Sequence, residues 1–346
     1  MKKRFLFFFV HPSKYHLFKN TINKLKEEGN HVDILIISKD VLEDLIYEEG
    51  WDYKNIFPNG RKLRFLPSKI VAIFSAFITT LKLFWYLLFK KRYSKFITDD
   101  ILVVPGYFFK TPTYLFLDND YETLSFAKYL LPFATKILSP ESTDLEKFKS
   151  KKIPFKGNKA IAHLTPKYFK PDKKIVSSVN NPFFLLRVAE LNAVHDNYDN
   201  NGIVDESLGE IISLLSMYGH ILISAERKLP SKYEKYRLKI KPKEISNYLH
   251  FATMVITDSG TMANEAAVLG VPNILLNNLA DKCGVHRELR DKFHLQFYYD
   301  NFQDVYNKVN ELLKDKELDS IWSKRKDIFL DYVDDFPKLL YNELIK

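Results

Sequence analysis

The chain has 346 residues, 46% of them hydrophobic and 15% aromatic, and this length exceeds what a single hydrophobic core usually organises. Its one cysteine, Cys283, excludes an intramolecular disulfide framework and a cysteine-rich zinc site. The formal net charge of +9 is compatible with attraction to an anionic membrane or to anionic substrates, and no nucleic-acid recognition motif accompanies it. We therefore expect two globular domains in a reducing cytoplasm, with no nucleic acid as a partner.

The N-terminus begins with basic residues and an apolar run, as a signal peptide does. The run ends at Val10, too early for a signal peptide, so we interpret residues 5–10 as a first buried strand. Residues 14–28 have helical spacing and end at Gly29, and residues 32–37 form a second apolar run. The chain is therefore predicted to open with a strand, a helix and a second strand.

Residues 70–89 are apolar apart from Lys82, and the basic run of Lys90, Lys91 and Arg92 follows them. A lysine at the centre of a membrane-spanning helix costs about 2.5 to 3.5 kcal/mol, and the chain offers no second candidate span. We therefore predict a helix of the N-terminal domain that is partly buried and partly lies on the membrane interface. Such a helix would give the protein peripheral contact with an anionic membrane.

Two carboxylates follow the second of two strands predicted at residues 95–98 and 113–117. These are Asp118 and Asp120. Open parallel sheets bind ligands beyond the carboxyl ends of their strands, so both side chains are candidates for catalysis. The alternative is that either carboxylate caps a helix predicted over residues 121–131.

Prolines cluster near residues 165–172, after a strand predicted at residues 136–139 to be the last of its domain. We place the domains at residues 1–168 and 169–346, with the helices from Leu318 onward bracing both. In the second half, elements are predicted at residues 183–188, 206–218, 220–224, 243–250, 294–298 and 302–313, with Asp300 as the last cap. Alternating strands and helices predict a parallel sheet in each half, hence two Rossmann-like domains that face a cleft.

The most informative stretch covers residues 254–276 and reads MVITDSGTMANEAAVLGVPNILL. It predicts a strand, a turn at residues 258–260, a helix over residues 261–269 and another strand. Gly260 would let the backbone approach a ligand closely. The N–H groups at the start of the helix would attract an anion such as a diphosphate.

Three side chains accompany this helix start. Ser259 and Thr261 lie at the turn, and Glu265 lies one helical turn further along, on the same face as Thr261. A carboxylate at that position could accept hydrogen bonds from sugar hydroxyls. The alternative is that Ser259 or Thr261 only caps the helix of an ordinary α/β unit.

The sequence DSGTMANEAAVLGVP resembles the nucleotide-sugar segment of the GT-B superfamily, in particular the DSGG-x-x-EEA-x-x-LG-x-P stretch of UDP-N-acetylglucosamine 2-epimerases. It is more similar still to the GGTM-x-x-EAA-x-LG-x-P stretch of the DUF354 family, whose members are often described as predicted glycosyltransferases. The passages HLFKNTINKLKEEGNHVDIL and IPFKGNKAIAHLTPKYFKPD also resemble that family. The resemblance implies a GT-B fold whose second domain binds a nucleotide sugar, expected to be UDP-linked, through Ser259, Gly260, Thr261 and Glu265.

The resemblance also implies roles in the first domain. His16 matches a histidine of the family and lies at the start of a helix, where several inverting GT-B families carry a catalytic histidine, so it would remove the acceptor hydroxyl proton. Asp118 or Asp120 would orient it, or would move protons as carboxylates of the 2-epimerases do. The two aspartates also spell the DxD of metal-dependent GT-A enzymes. Because the helix start already serves the diphosphate, we expect no metal and no cofactor. The alternative for His16 is a structural role.

Arg187 lies where 2-epimerases carry their T-x-HRREN segment, and it would either pair with a phosphate or anchor the fold. Leu186 replaces the catalytic histidine of that segment, which counts against epimerisation. The leading hypothesis is a glycosyltransferase of cell-surface glycan or glycolipid biosynthesis, with a glycan or lipid-linked acceptor. The alternatives are a 2-epimerase-like isomerase or hydrolase, and a nucleotide-sugar-binding protein without activity. We expect it in the cytoplasm, including the inner face of the cell membrane.

Overall fold

The computed structural model describes residues 2–38, 41–58, 68–189 and 202–346, and it describes residues 68–72 by their backbone alone. Strands and helices alternate along these residues. The chain divides into two units, one formed by Met1–Lys156 with Asp334–Lys346 and the other by Gly157–Val333. Each unit contains one sheet, and its strands pair in parallel. The prediction of two Rossmann-like α/β domains is confirmed.

The sheet of the first unit has seven strands in the order β3-β2-β1-β4-β5-β6-β7. In chain order these are β1 (Arg4–Phe9), β2 (His31–Ile37), β3 (Lys54–Phe57), β4 (Lys95–Thr98), β5 (Thr113–Phe116), β6 (Lys136–Pro140) and β7 (Lys152–Phe155). The helices that follow successive strands are α1 (Pro12–Glu27), α2 (Leu42–Glu48), α3 (Ser68–Leu88) and α4 (Val103–Phe108). Because β1 pairs with strands on both sides, the first strand of the chain lies inside the sheet.

The sheet of the second unit has five strands in the order β12-β11-β10-β8-β9. They are β8 (Phe183–Val188), β9 (His220–Ala225), β10 (Met254–Thr257), β11 (Asn273–Leu276) and β12 (Phe297–Tyr299). Its helices are α5 (Ile161–Leu164), α6 (Asp205–Leu215), α7 (Ile245–Phe251), α8 (Gly260–Leu269), α9 (Gly284–Arg287), α10 (Phe302–Leu312) and α11 (Leu318–Tyr332). The last helix of the chain, α12 (Phe336–Ile345), belongs to the first unit.

Both faces of the first sheet are covered, as a parallel sheet requires. Phe8 of β1 joins a core that includes residues of α3. Phe7 has the opposite orientation because successive residues of a strand alternate, and its ring lies 5.6 Å from that of Phe18 in α1. Phe155 of β7 packs at 4.7 Å against Phe336. These ring contacts explain why α12 belongs to the first unit.

The boundary between the two units is not at the predicted position, which was after residue 168. Strand β7, which follows the strand predicted to be last, extends the first sheet, and the chain enters the second unit at Gly157. Helix α11 packs on α8 within the second unit, whereas α12 packs on α1 within the first. The second unit therefore lacks the final helix that was predicted to belong to it, and it includes residues 157–168, which were predicted to belong to the first domain.

The helix predicted over residues 121–131 is wrong. This segment forms separate 3-10 helices at Tyr121–Thr123, Phe126–Tyr129 and Leu131–Phe133. Leu124 and Ser125, between the first two of these, have non-helical backbone angles, so no continuous helix forms. The irregular path still buries Leu124 and Leu130 in the core of the first unit.

The predicted cap of the helix that follows β12 is also wrong by one residue. Asn301, and not Asp300, caps α10, because the Asn301 side chain accepts a hydrogen bond of 2.9 Å from the N–H of Asp304. The N-cap position directly precedes the first helical residue, so Asp300 lies one residue too early to fill it.

Helix α3 occupies the segment predicted to be partly buried. Leu83 and Leu87 are buried in the core of the first unit, and Phe77 and Trp85 are exposed. The prediction of a partly buried helix is confirmed. Within the described residues, no helix has the length and apolar character needed to cross a membrane. Contact of α3 with a membrane surface stays a prediction.

Candidate functional site

The start of α8 follows the carboxyl end of β10, in the middle of the second sheet. The strand is buried, whereas the turn at residues 259–261 is partly exposed. Ser259 is the N-cap: its N–H donates to Thr257 Oγ1 at 2.9 Å, and its hydroxyl accepts a long bond of 3.5 Å from the N–H of Met262. The first N–H groups of a helix have no partner within the helix, so this accessible turn is suited to an anion.

Gly260 lies against the imidazole of His286, and a Cβ at position 260 would lie only 2.9 Å from Nε2 of that ring. The ring is held by a buried chain of amides: His286 Nδ1 is 2.7 Å from Gln296 Oε1, and Gln296 Nε2 donates to Asn273 Oδ1 at 3.2 Å. Asn273 Nδ2 donates to two backbone carbonyls, which fixes the orientation of both amides. His286 Nδ1 therefore donates a hydrogen to the amide oxygen of Gln296, and Nε2 is the ring nitrogen that faces Gly260.

This network was missed by the sequence analysis. Its three members lie on α9, β11 and the segment before β12, and each is at most 8% exposed. The one local signal is that Asn273 and Gln296 are polar residues next to apolar runs. Buried amides need partners, so such residues indicate a network without saying which residues complete it.

Asp258 is a buried carboxyl directly before the turn. It accepts hydrogen bonds from the N–H of Ala189, at 2.8 Å, and from the N–H of Ile203, at 3.3 Å. Burial raises the pKa of Asp258 to about 6, although these N–H groups and the charge of Arg187 oppose the rise. Asp258 thus ties the end of β10 to the backbone that follows β8.

Glu265 is a second buried carboxyl, one helical turn into α8 and 8% exposed. Burial raises the pKa of Glu265 to about 7, while the charges of Lys159 and Arg187 lower it. His163 of α5, another residue that the sequence analysis missed, has Nε2 at 3.7 Å from Glu265 Oε1. Near neutral pH this carboxyl exists in both protonation states, so it can accept a hydrogen bond from a bound hydroxyl or donate one to it.

Arg187 connects β8 to β9. Its Nη1 donates to Ser224 Oγ at 2.8 Å, and its Nη2 donates to Glu226. Its Nε is buried and has no hydrogen-bond partner among the residues that the structure describes. The guanidinium also lowers the pKa of both Asp258 and Glu265. These contacts anchor the fold beside the turn, and the pairing of Arg187 with a phosphate stays a prediction.

His16 lies in the second turn of α1 and not at its start, which corrects the predicted position. The helix starts at Pro12, and His11 is the cap, accepting a hydrogen bond of 3.2 Å from the N–H of Ser13. Burial, with a further contribution from the charge of Lys19, lowers the pKa of His16 to about 4. The imidazole is therefore neutral at pH 7, but it is a weaker base than an ordinary histidine.

Asp118 and Asp120 follow β5 and have different partners. Lys14 Nζ lies 3.9 Å from Asp118 Oδ1, whereas Asp120 Oδ1 accepts a hydrogen bond of 2.7 Å from the N–H of Asp144. Asp120 precedes the 3-10 helix that starts at Tyr121 but makes no side-chain capping bond to it, so the capping alternative is wrong for Asp120. Among the described residues, no group of three or more histidine, cysteine, aspartate or glutamate side chains is arranged to hold a metal ion.

Solved structures of nucleotide-sugar enzymes are similar to this chain over nearly its full length. The UDP-GlcNAc 2-epimerase of Neisseria meningitidis, bound to UDP-GlcNAc, has a TM-score of 0.71 at 13% identity and covers 99% of both chains. The S. aureus MnaA co-structure with UDP has a TM-score of 0.69 at 16% identity, over 98% of this chain and 94% of that one. UGT89C1 of Arabidopsis thaliana, complexed with quercetin, has a TM-score of 0.65 at 14% identity over both whole chains. Identities this low show the fold alone, and the predicted GT-B fold is confirmed.

The sequence also matches a family model along most of its length. The family is described as a protein of unknown function, DUF354, and its model matches residues 10–343. No curated protein matches the chain. The family match covers both units, and with them His16 and the start of α8.

Glu265→Gln should change how stability depends on pH. Folding raises the pKa of Glu265 from 4.5 to about 7, so its stabilising contribution is complete below pH 4.5 and is lost as the pH rises through 7. Relative to the variant, the wild type should therefore lose about 1 to 3 kcal/mol of unfolding free energy between about pH 5 and pH 8.

Urea denaturation of both proteins at the two pH values measures this difference. Glu206→Gln, at an exposed position of α6, is the matched control for loss of a carboxylate. A difference between wild type and Glu265→Gln that is the same at both pH values would show that Glu265 is not held in its protonated form by burial.

Proposed function

The chain belongs to the DUF354 family, and on that premise we propose that it is a nucleotide-sugar-dependent glycosyltransferase. The observation that carries the proposal is the partly exposed start of α8 with the buried carboxyl of Glu265 one turn further along. The turn offers backbone N–H groups to an anion, and Glu265 offers a carboxyl to hydroxyls, so together they match a sugar nucleotide. The similarity to structures bound to UDP-GlcNAc and to UDP supports the choice of a UDP-linked donor.

In this proposal the donor binds the second unit. Its diphosphate would lie on the N–H groups of Gly260 and Thr261 and beside the hydroxyl of Ser259, and its hydroxyls would bond to Glu265. When the bond between the sugar and the diphosphate breaks, negative charge increases on the β-phosphate. Fixed N–H dipoles and the nearby cation of Arg187 would stabilise that charge without reorganising.

The acceptor, a glycan or a lipid-linked molecule, would bind the first unit. An acceptor hydroxyl would attack the anomeric carbon, its proton would pass to His16, and UDP would leave. The low pKa of His16 keeps the imidazole neutral and ready to accept a proton. Asp118, paired with Lys14, is the second candidate base, and Asp120 is a weaker one because its carboxylate already binds the backbone of Asp144. No metal and no cofactor takes part.

An acceptor of this kind places the protein in cell-surface glycan or glycolipid biosynthesis. We propose that the protein works in the cytoplasm and at the inner face of the cell membrane. The exposed side of α3 supports the membrane contact.

A 2-epimerase-like reaction is the second candidate, because the similar structures include UDP-GlcNAc 2-epimerases. That reaction inverts the configuration at C2 of the sugar without an acceptor. Leu186 occupies the position at which the epimerase motif has a catalytic histidine, which favours transfer over epimerisation.

Product analysis separates the two reactions. A thermal-shift screen of nucleotide sugars first identifies the donor, because a ligand that binds only the folded state raises the melting temperature. Incubation of that donor without an acceptor should leave the configuration at C2 unchanged by NMR, and addition of membrane lipid extract as acceptor should release UDP. Inversion at C2 would instead establish the isomerase, and binding without either reaction would leave a nucleotide-sugar-binding protein.

His16→Ala should lower the rate of the chemical step by about 10²-fold, the lower end of the range for a lost general base, because a pKa of about 4 makes this imidazole a weak base. Donor affinity should stay nearly constant, since the proposed donor contacts lie in the other unit. Single-turnover kinetics and calorimetry measure the two quantities separately. His220→Ala removes an exposed histidine and is the control. A wild-type rate in His16→Ala would leave Asp118 as the leading base.

A further inference from the structure

The first unit exposes large apolar side chains that its core does not use. We call them the aromatic face, and each is more than half exposed: Phe77, Leu81, Trp85 and Phe89 in or next to α3, Phe108 in α4, and Tyr129 in a 3-10 helix. Single exposed apolar residues are normal, but a contiguous set marks a contact surface.

Ring contacts show that the aromatic face is continuous. Phe84 of α3 lies 5.7 Å from Phe108 of α4, between ring centroids. Tyr107 of α4 lies 5.5 Å from Phe133, whose 3-10 helix contacts the one that ends at Tyr129. Helices α3 and α4 and the 3-10 segment therefore form one surface.

The spacing of residues along α3 keeps charge out of this surface. Phe77, Leu81, Trp85 and Phe89 recur every four residues, so they share one side of the helix. Lys82 is drawn away to β3, where its Nζ donates to the carbonyl of Ile56 at 2.8 Å and lies 3.7 Å from the ring centroid of Phe57. The apolar side is thus uninterrupted over most of a helix about 30 Å long.

The segments that carry the aromatic face are predominantly basic. Residues 68–140 contain nine lysine and arginine residues and five aspartate and glutamate residues, and all five acidic residues follow the carboxyl ends of β4 and β5, whereas Arg92 and Lys110 precede the amino ends of these strands. A second copy of the chain docked through the same face would bring two positive surfaces together, which is unfavourable. An anionic surface with an apolar interior complements both the charge and the rings.

Two of these cations share a cavity beside the face. Arg92, three residues after Phe89, and Lys110, two residues after Phe108, line a cavity of about 330 Å³ together with the hydroxyl residues Ser94 and Thr111. A guanidinium and an ammonium with neighbouring hydroxyls suit a phosphate group.

We propose that the aromatic face binds the anionic surface of a lipid bilayer. Its rings would lie at the boundary between headgroups and acyl chains, and Arg92 and Lys110 would contact lipid phosphates. Trp, Tyr and Phe favour this interfacial depth, and nearby lysines and arginines add attraction to anionic lipids. The inference rests on the part of the proposed function that locates the protein at a membrane, and it is independent of the transfer chemistry.

Tryptophan fluorescence tests the proposal directly. Of the three tryptophans, Trp51 and Trp322 are 7% and 2% exposed, whereas Trp85 of the aromatic face is 68% exposed. Phosphatidylcholine vesicles that contain about 30% phosphatidylserine should shift the emission to the blue at low ionic strength, and added salt should reverse the shift. Trp85→Phe should lose the fluorescence change but still sediment with the vesicles.

Two pairs of substitutions separate the apolar and the charged contributions. Phe77→Ser with Leu81→Ser should weaken vesicle binding about tenfold or more. Arg92→Gln with Lys110→Gln should reduce the preference for phosphatidylserine over pure phosphatidylcholine. Ile328→Ser, at a residue 63% exposed in the second unit, is the matched control and should bind as the wild type does.

Three results would overturn the proposal: no vesicle binding at low ionic strength, binding that the Phe77→Ser and Leu81→Ser pair does not weaken, or a dimer in solution that this pair dissociates while no protein binds vesicles. The last result would make the aromatic face a protein interface. Vesicle binding by a protein that transfers no sugar would support this inference and contradict the proposed function alone.

Discussion

Burial of two carboxyl groups beside one accessible turn is the constraint on which the second unit depends. Removing a carboxylate from water is unfavourable, and both Asp258 and Glu265 respond with raised pKa values, about 6 and about 7. Asp258 is compensated by two backbone N–H groups. For Glu265, the charges of Lys159 and Arg187 only partly oppose the rise in its pKa. A ligand that donates hydroxyl hydrogens to Glu265 would favour its ionised form, so binding and ionisation should be coupled.

The same turn is fixed before any ligand arrives. Gly260 leaves room for His286, and the amides of Gln296 and Asn273 hold that ring in one orientation. Arg187 connects the neighbouring strands through Ser224. N–H groups held by such contacts do not need to reorganise when charge develops near them, which is the property that electrostatic catalysis requires.

Sequence alone predicted the parts of the fold that depend on local pattern. The strands Lys95–Thr98, Phe183–Val188 and Met254–Thr257 have the bounds that their apolar runs predicted, because buried strands inside a sheet leave a strong apolar pattern. Strand β7 was missed since it is a short edge strand whose sequence, Lys-Ile-Pro-Phe, contains a proline and only half an apolar pattern.

The candidate site was predictable to the extent that its residues are neighbours in sequence. Ser259, Gly260 and Glu265 share one turn and one helix, so their spacing placed them together. His163 and His286 come from other elements, and only the folded chain brings them to α8. The pKa of Glu265 was equally inaccessible, because burial by the whole unit causes the rise.

The claim that the start of α8 binds the diphosphate of a nucleotide is tested most directly by calorimetry. UDP and uridine would be titrated into the wild type and into Gly260→Ala, in a buffer with chelator. UDP should bind the wild type more tightly than uridine, because the diphosphate supplies the contacts. In Gly260→Ala the added methyl meets His286, whose ring is held by Gln296, and displaces the turn, so most of the UDP affinity should be lost. Equal affinities for UDP and uridine, or an unchanged UDP affinity in Gly260→Ala, would contradict the claim.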